Sequence, residues 1–230
     1  MLSAVAKTLG QLNDPVIRRV IGKTLGLAIL AYVLFVVLVY LLVGWLSGLE
    51  GWLGGLAQFG GVFFAIVIAW FIFPGVAAAI AGIFADEVID AVEAKHYPGL
   101  PPARHVSVVS AALDGLKLAG IALVANIAAL PLLVVPPLYI VFTWAVNGWL
   151  LGREYFEMVA FRRLERPAAH ELRRRHNRIF TIAGVMIAIC LTIPFVNLLA
   201  PVLGAAFMVH VAQNVLNHAR TATQTVKPLA

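Results

Sequence analysis

Long runs of apolar residues, separated by short polar stretches, dominate the pattern of this chain. One run covers residues 24–46, and a second covers 59–84. A helix needs about 20 apolar residues to cross the hydrocarbon core of a bilayer. The pattern therefore predicts two long transmembrane helices, over about 15–46 and 59–96. We expect a kink at Pro74, because a proline ring removes one backbone hydrogen bond.

The second predicted helix changes character after Phe84. Acidic residues there alternate with apolar ones at helical spacing, which predicts an amphipathic stretch that emerges into water. The sequence Tyr-Pro-Gly at 97–99 is typical of a helix end. The acidic residues of this stretch are Asp86, Glu87, Asp90 and Glu93.

Two further apolar regions contain prolines. Over about 107–152 two readings stay open, because two full spans or one hairpin would both return to the same side. Over about 179–220 each arm has about 15 apolar residues and would be roughly 22 Å long, which is short for a span. This favours a re-entrant hairpin around Pro194 and Asn197, whose non-helical tip must be covered by protein or water.

Composition agrees with an all-α integral membrane protein. The chain is 62% hydrophobic and only 12% charged, too little charge for the surface of a soluble domain. Its seventeen Lys and Arg avoid residues 47–58 and concentrate in 153–178, which predicts a basic cytoplasmic helix there. The positive-inside rule then places both termini in the cytoplasm. The basic helix is expected to bind anionic lipid rather than nucleic acid.

Three stretches resemble the CysZ-type sulfate permeases, which are grouped with the eukaryotic etoposide-induced membrane proteins. They are Asp-Pro-Val-Ile-Arg-Arg at 14–19, the acidic helix with Tyr-Pro-Gly at 83–99, and 149–201 with its Ile-Pro-Phe-Val-Asn-Leu tip. The resemblance implies two long transmembrane helices and two hemi-penetrating hairpins. It also implies a homo-oligomer in the bacterial inner membrane that takes up sulfate for cysteine synthesis, without a cofactor.

The resemblance assigns the sulfate site to Val16, Ile17, Arg18 and Arg19. Glycine stands in the family pattern where this chain has Val16, which keeps another small oxyanion open as the substrate. Independently, free N–H groups and the dipole of a helix start favour an anion, and arginine forks match a tetrahedral oxyanion. The alternative is that both arginines are ordinary positive-inside residues that touch lipid phosphate.

Four polar residues in apolar settings are candidates for lining a pore: Asp86, Asn197, His210 and Asn214. Asp86 lies nearest an apolar run, and an ionisable group at membrane depth is a functional candidate. His210 and Asn214 belong to a polar stripe on the last predicted arm. The stripe could form one wall of a water-filled path, or it could be an inward-facing set of bonded side chains.

No catalytic motif and no metal-ligand spacing occurs in the sequence, so we expect neither an enzyme nor a metal site. The prediction is an anion permease, most plausibly for sulfate. Two alternatives stay open. One is a non-transporting membrane scaffold or remodelling protein, and the other is a transporter of another small oxyanion.

Overall fold

The computed structural model describes residues 1–47, 51–104, 108–193 and 196–225, and every regular element in these ranges is helical. Four of the helices are long and apolar enough to cross a membrane, which confirms the predicted all-α membrane fold. Two short 3₁₀ turns accompany the helices, which are α1 Leu2–Gly10, α2 Pro15–Ser47, α3 Gly51–Ile83, α4 Ala85–His96, α5 Val108–Ala129, α6 Pro136–Ala160, α7 Arg166–Arg175, α8 Asn177–Thr192 and α9 Val196–Thr225.

Helices α2 and α3 form a long antiparallel pair. The rings of Tyr32 and Phe73 meet edge to face with centroids 6.0 Å apart. Nearer the other end of the pair, Gly61 leaves room for Val43, whose Cγ2 would lie 2.7 Å from a Cβ at that position. Of an 18-residue apolar stretch within Pro15–Trp45, only 6% is buried inside the protein. The outer surface of this pair is therefore suited to contact with lipid.

The helix predicted over 59–96 differs from the observed one at both ends. Helix α3 begins at Gly51, whose φ of 67° favours glycine, and stays helical through Pro74. It ends at Ile83, and α4 begins after Phe84, whose φ and ψ of −94° and 5° are not helical. The break lets α4 turn its apolar face towards α9 and bury Val88, Ile89 and Val92.

Helices α6 and α8 approach each other at three glycines. A Cβ on Gly184 of α8 would lie 2.7 Å from Cα of Gly152 on α6, closer than side chains tolerate. A Cβ on Gly148 would likewise lie 2.8 Å from Cα of Val185. One turn beyond Gly152 on α6, the ring of Phe156 packs against that of Phe180 on α8, with centroids 4.0 Å apart. Small residues let two helix backbones meet, as is common within membranes.

Helix α9 is the centre of the molecule. Of an 18-residue apolar stretch within Val196–Asn217, 72% is buried, and α1, α3, α4, α6 and α8 all contact α9. Its buried residues include Ala205, Met208 and Ala212. The core is therefore built around the last described helix, and α2 and α3 extend from it.

The basic segment predicted as one helix over 153–178 is divided among three helices. Helix α6 carries Arg153 and ends at Ala160, α7 is a separate short helix, and α8 begins at Asn177. In the predicted hairpin over 107–152, a 3₁₀ turn at Leu130–Val134 joins α5 to α6. In the predicted hairpin over 179–220 the arms are α8 and α9, and Pro194 of the predicted tip lies outside the described residues. The second arm is longer than the predicted 15 residues, because α9 begins at Val196 and stays helical through Pro201, and it is long and apolar enough to cross a membrane.

Candidate functional site

The beginning of α2 carries the residues that the resemblance assigns to sulfate. Asp14 precedes the helix, and its Oδ1 accepts a 3.0 Å hydrogen bond from the backbone N–H of Val16. Its Oδ2 accepts a 3.0 Å hydrogen bond from Nζ of Lys95 on α4. A carboxylate of the chain itself therefore caps the free donors at this helix start, where an external anion could otherwise bind.

The same contacts fix the charge of Asp14. Its hydrogen bond with Lys95 holds the pKa of the Asp14 carboxyl below its usual range, against an opposing effect of burial. Hydrogen bonds from the backbone N–H groups of Val16 and Ile17 lower the pKa further. Asp14 is thus ionised at neutral pH, and Lys95 provides the compensating charge while joining α2 to α4.

The four residues of the predicted sulfate site have different surroundings. The Ile17 side chain is in the core with 1% of its surface exposed, and Val16 is half-buried. Arg18 and Arg19 are exposed, and neither forms an ion pair with any acidic side chain in the described ranges. Only the two guanidinium groups are therefore available to an external ligand.

Asp86 lies in the first turn of α4 and forms an ion pair with Arg162, in the turn after α6. The same guanidinium pairs with Asp90, one helical turn further along α4. The side chain of Arg162 is 8% exposed, whereas those of Asp86 and Asp90 are mostly exposed. Asp86 therefore holds the turn after α6 against α4, and its carboxylate is paired.

A second ion pair lies deeper in the same contact. Glu93 and Arg163 pair with only 4% and 7% of their side chains exposed. Nε2 of Gln213 on α9 donates a 3.0 Å hydrogen bond to Oε1 of Glu93. The buried carboxylate therefore connects α4, the turn after α6 and the central helix.

His210 is fully buried on α9, and its Nδ1 lies 2.9 Å from the hydroxyl of Tyr97. The ring of His96 packs edge to face against it, with centroids 5.0 Å apart. Burial lowers the pKa of His96, and the nearby Lys7 ammonium lowers it further. Burial also raises the pKa of Tyr97. His96 and Tyr97 are therefore both uncharged at neutral pH.

The structure does not gather the four pore-lining candidates into one group. Asn197 is half-buried in the first turn of α9, about 20 Å along that helix from His210. Asn214 is exposed, one turn beyond His210. Asp86 pairs with Arg162 instead of facing α9. The residues of the predicted stripe on α9 thus have different surroundings. His210 is bonded to Tyr97, just after α4, and Gln213 is bonded to Glu93 of α4.

Glu157 is a buried carboxylate that the sequence did not single out. Its Oε1 lies 3.0 Å from Nε of Arg153, 3.4 Å from Nδ1 of His170 and 3.5 Å from Nε of Arg173. It docks the basic helix α7 against α6. The spacing of Arg153 and Glu157, four residues apart on one helix, could have suggested their pairing, but the approach of α7 could not be read from the sequence.

Among the residues that the structure describes, no group of three or more His, Cys, Asp and Glu could hold a metal ion. A search of curated proteins and a search of solved structures found no match to the chain. Residues 4–201 match the model of the family described as "Sulfate transporter CysZ/Etoposide-induced protein 2.4", which covers most of the 230 residues. This multi-pass membrane protein therefore belongs to the family of CysZ and etoposide-induced protein 2.4.

Proposed function

We propose that the protein is an anion permease of the bacterial inner membrane that carries sulfate towards cysteine synthesis. The observation that carries the proposal is the pair Arg18 and Arg19, exposed at the start of α2 without an acidic partner among the described residues. Sulfate at neutral pH accepts hydrogen bonds and donates none, and the planar forks of two arginines match its oxygens. The family match supports the same substrate class.

In this proposal the two guanidinium groups bind the anion, and the backbone of the helix start does not. The carboxylate of Asp14 already occupies the N–H of Val16, and a second anion there would meet like charge. Lys95 forms an ion pair with Asp14, so an anion held by the two arginines meets less repulsion from the Asp14 carboxylate. Burial of Ile17 fixes the first turn of α2, so that the arginine side chains project outwards.

Uptake of labelled sulfate into proteoliposomes tests the proposal. The double variant Arg18→Ala with Arg19→Ala is expected to lower uptake at least tenfold at low sulfate concentration. Replacement of both by Lys should retain part of the activity, because charge remains but the fork is lost. The matched control is Arg174→Ala with Arg178→Ala, two other exposed arginines, and it should transport like the wild type.

Two results would contradict different parts of the proposal. Wild-type uptake no greater than that of empty liposomes, together with no sulfate binding, removes the transport function. Full uptake by the Arg18 and Arg19 double variant leaves transport intact and removes the site. Because Val16 replaces the glycine of the family pattern, another oxyanion could be the substrate. Competition by selenate, phosphate and sulfonates would rank these alternatives.

The second candidate is a membrane scaffold that transports nothing. The observation that favours it is the closed interior around α9, where His210 is bonded to Tyr97, the residue after α4, and Gln213 is bonded to Glu93 of α4. A scaffold would give no flux in the same liposomes, and substitutions on this stripe would change only stability. A transporter must open this contact or conduct along another surface.

The proposal extends to partners and placement. We expect both termini in the cytoplasm, more than one copy in the assembly, and anionic lipid against α7, whose last turn carries Arg173, Arg174 and Arg175. Exposed large apolar side chains occur along both α2 and α3 and suit contact with lipid or with a second copy. Native mass spectrometry with retained lipid would report both the copy number and the lipid class.

A further inference from the structure

A cavity of about 450 Å³ lies among α5, α6 and α8. Its volume falls within the usual range of roughly 300–1,000 Å³ for small-molecule sites. Helix α6 contributes a polar stripe to it, formed by Thr143, Asn147 and Glu154, and α8 contributes Thr192. The stripe extends about 16 Å along α6 at 1.5 Å per residue. Leucines line the remaining wall, so the cavity has one polar side and one apolar side.

Glu154 is unusual among the acidic side chains that the structure describes. It alone forms no ion pair, although the chain has seventeen Lys and Arg against eleven Asp and Glu. The other described acidic side chains all pair with a basic one, and they are Asp14, Asp86, Glu87, Asp90, Glu93, Glu157, Glu165 and Glu171.

The hydroxyl of Thr143 is a second polar group of the cavity without a partner among the described atoms, and its Oγ1 is buried. A buried hydroxyl without a partner lowers stability unless a ligand or water supplies the hydrogen bond. Among the side chains that the structure describes, no Lys, Arg or His lines the cavity. A divalent anion would therefore meet a carboxylate and no compensating cation, so this cavity does not suit sulfate.

We propose that this cavity binds a primary ammonium group that carries a short apolar chain. The ammonium has three donors and one positive charge, which complement the unpaired carboxylate of Glu154. The apolar chain would lie against Leu118 and Leu191, where it is removed from water. A free alkylamine and the headgroup of an ethanolamine lipid share this chemistry.

The experiment uses the full chain, purified in detergent without added lipid, and n-butylammonium chloride as the probe. We expect a saturable rise in the thermal unfolding midpoint with n-butylammonium. Neither n-butanol, which lacks the charge, nor sodium butyrate, which has the opposite charge, should cause it. Glu154→Gln should weaken the binding at least tenfold. The control Glu171→Gln, which removes an exposed carboxylate of α7, should leave the binding unchanged.

A second variant keeps the carboxylate and fills the space. Ala122→Leu, on the α5 wall, should weaken n-butylammonium binding while leaving Glu154 in place. No rise in the wild type overturns the proposal, as does a rise that persists in Glu154→Gln. Equal responses to n-butanol and n-butylammonium also overturn it, because they would mean that the cavity is merely apolar.

The source of the ammonium is decided in lipid nanodiscs. Weaker binding of n-butylammonium in phosphatidylethanolamine than in phosphatidylcholine identifies a lipid headgroup as the natural occupant. Equal binding identifies a soluble amine. Either result supports the site, and both are independent of sulfate uptake, since Glu154 and the pair Arg18 and Arg19 lie on different helices.

Discussion

Glu93 and Arg163 form an ion pair in which both side chains are buried. Each charge offsets the cost of removing the other from water. We predict that Arg163→Met lowers the free energy of unfolding in detergent by about 3–5 kcal/mol, because it leaves a buried carboxylate unpaired. Denaturant titration followed by circular dichroism measures this. The control is Lys23→Met, which removes an exposed pair with Glu87 and should cost about 1 kcal/mol or less. Equal losses for the two variants would contradict the prediction.

Asp14 gives a pH-dependent prediction. Its carboxyl has a pKa below the usual 3.8, so its contribution to stability is present above that pH and is lost as pH falls through the lowered value. Asp14→Ala should cost about 1 kcal/mol at pH 7, since it removes a helix cap. Asp14→Asn should cost less because the cap survives. Unfolding measured at pH 7 and near pH 3 should show the cost of the alanine variant shrinking at the lower pH.

Some of this could be predicted at the level of residues. Pro15 is typical of the first turn of a helix and Asp14 of the position before it, and the structure begins α2 at Pro15, just ahead of Arg18 and Arg19. The partner of Asp14 could not be predicted, since Lys95 lies 81 residues away along the chain. Ion pairs between distant segments depend on how helices are arranged, and hydrophobic periodicity does not report that arrangement.

At the scale of elements, the contact between α6 and α8 gives the sharpest prediction. Gly152→Ala should destabilise the protein by roughly 1–3 kcal/mol, because the new methyl group would meet the backbone of α8. Gly120→Ala on α5 is the matched control. Nothing lies within 4 Å of a Cβ there, and alanine in a helix interior should be neutral or stabilising by up to about 1 kcal/mol. A thermal unfolding series compares the two, and equal midpoints would contradict the close packing.

The elements themselves were only partly predictable. The change from apolar to acidic sequence after Phe84 indicated where the helix leaves the apolar environment, and the structure has its break at that residue. The separation of α7 from α6 and α8 was not predicted. A run of basic residues is compatible with one long solvated helix and equally with three segments. Glu157 holds α7 in place, but its burial could not be predicted from the spacing of apolar residues.

At the scale of the whole molecule, the one-sided distribution of basic residues makes a topology prediction. In a Cys190→Ala background, Trp52→Cys in the first turn of α3 should react with a membrane-impermeant maleimide from outside intact spheroplasts. Arg174→Cys on α7 should react only after the membrane is opened, because the positive-inside rule places this cluster in the cytoplasm. The reverse labelling pattern would contradict the orientation.

The same background separates the two readings of α5 and α6. Val134 lies in the 3₁₀ turn that joins these helices and is 87% exposed. If the pair is a hairpin that returns to its own side, Val134→Cys stays unlabelled from outside. If both helices cross the membrane, the residue reacts as Trp52→Cys does. The lengths of the helices could not decide this, because α5 and α6 are both long enough to cross when slightly tilted.

The central position of α9 has a consequence for biosynthesis. A ribosome makes α1, α4, α6 and α8 before the helix against which they all pack, so the core cannot close until α9 has also been made. Until then Tyr97 lacks its hydrogen-bond partner His210, and Glu93 lacks its partner Gln213. The α2 and α3 pair, by contrast, is complete as soon as its own residues emerge. A stalled nascent chain that stops before α9 should therefore be inserted in the membrane yet remain open to proteases around α4.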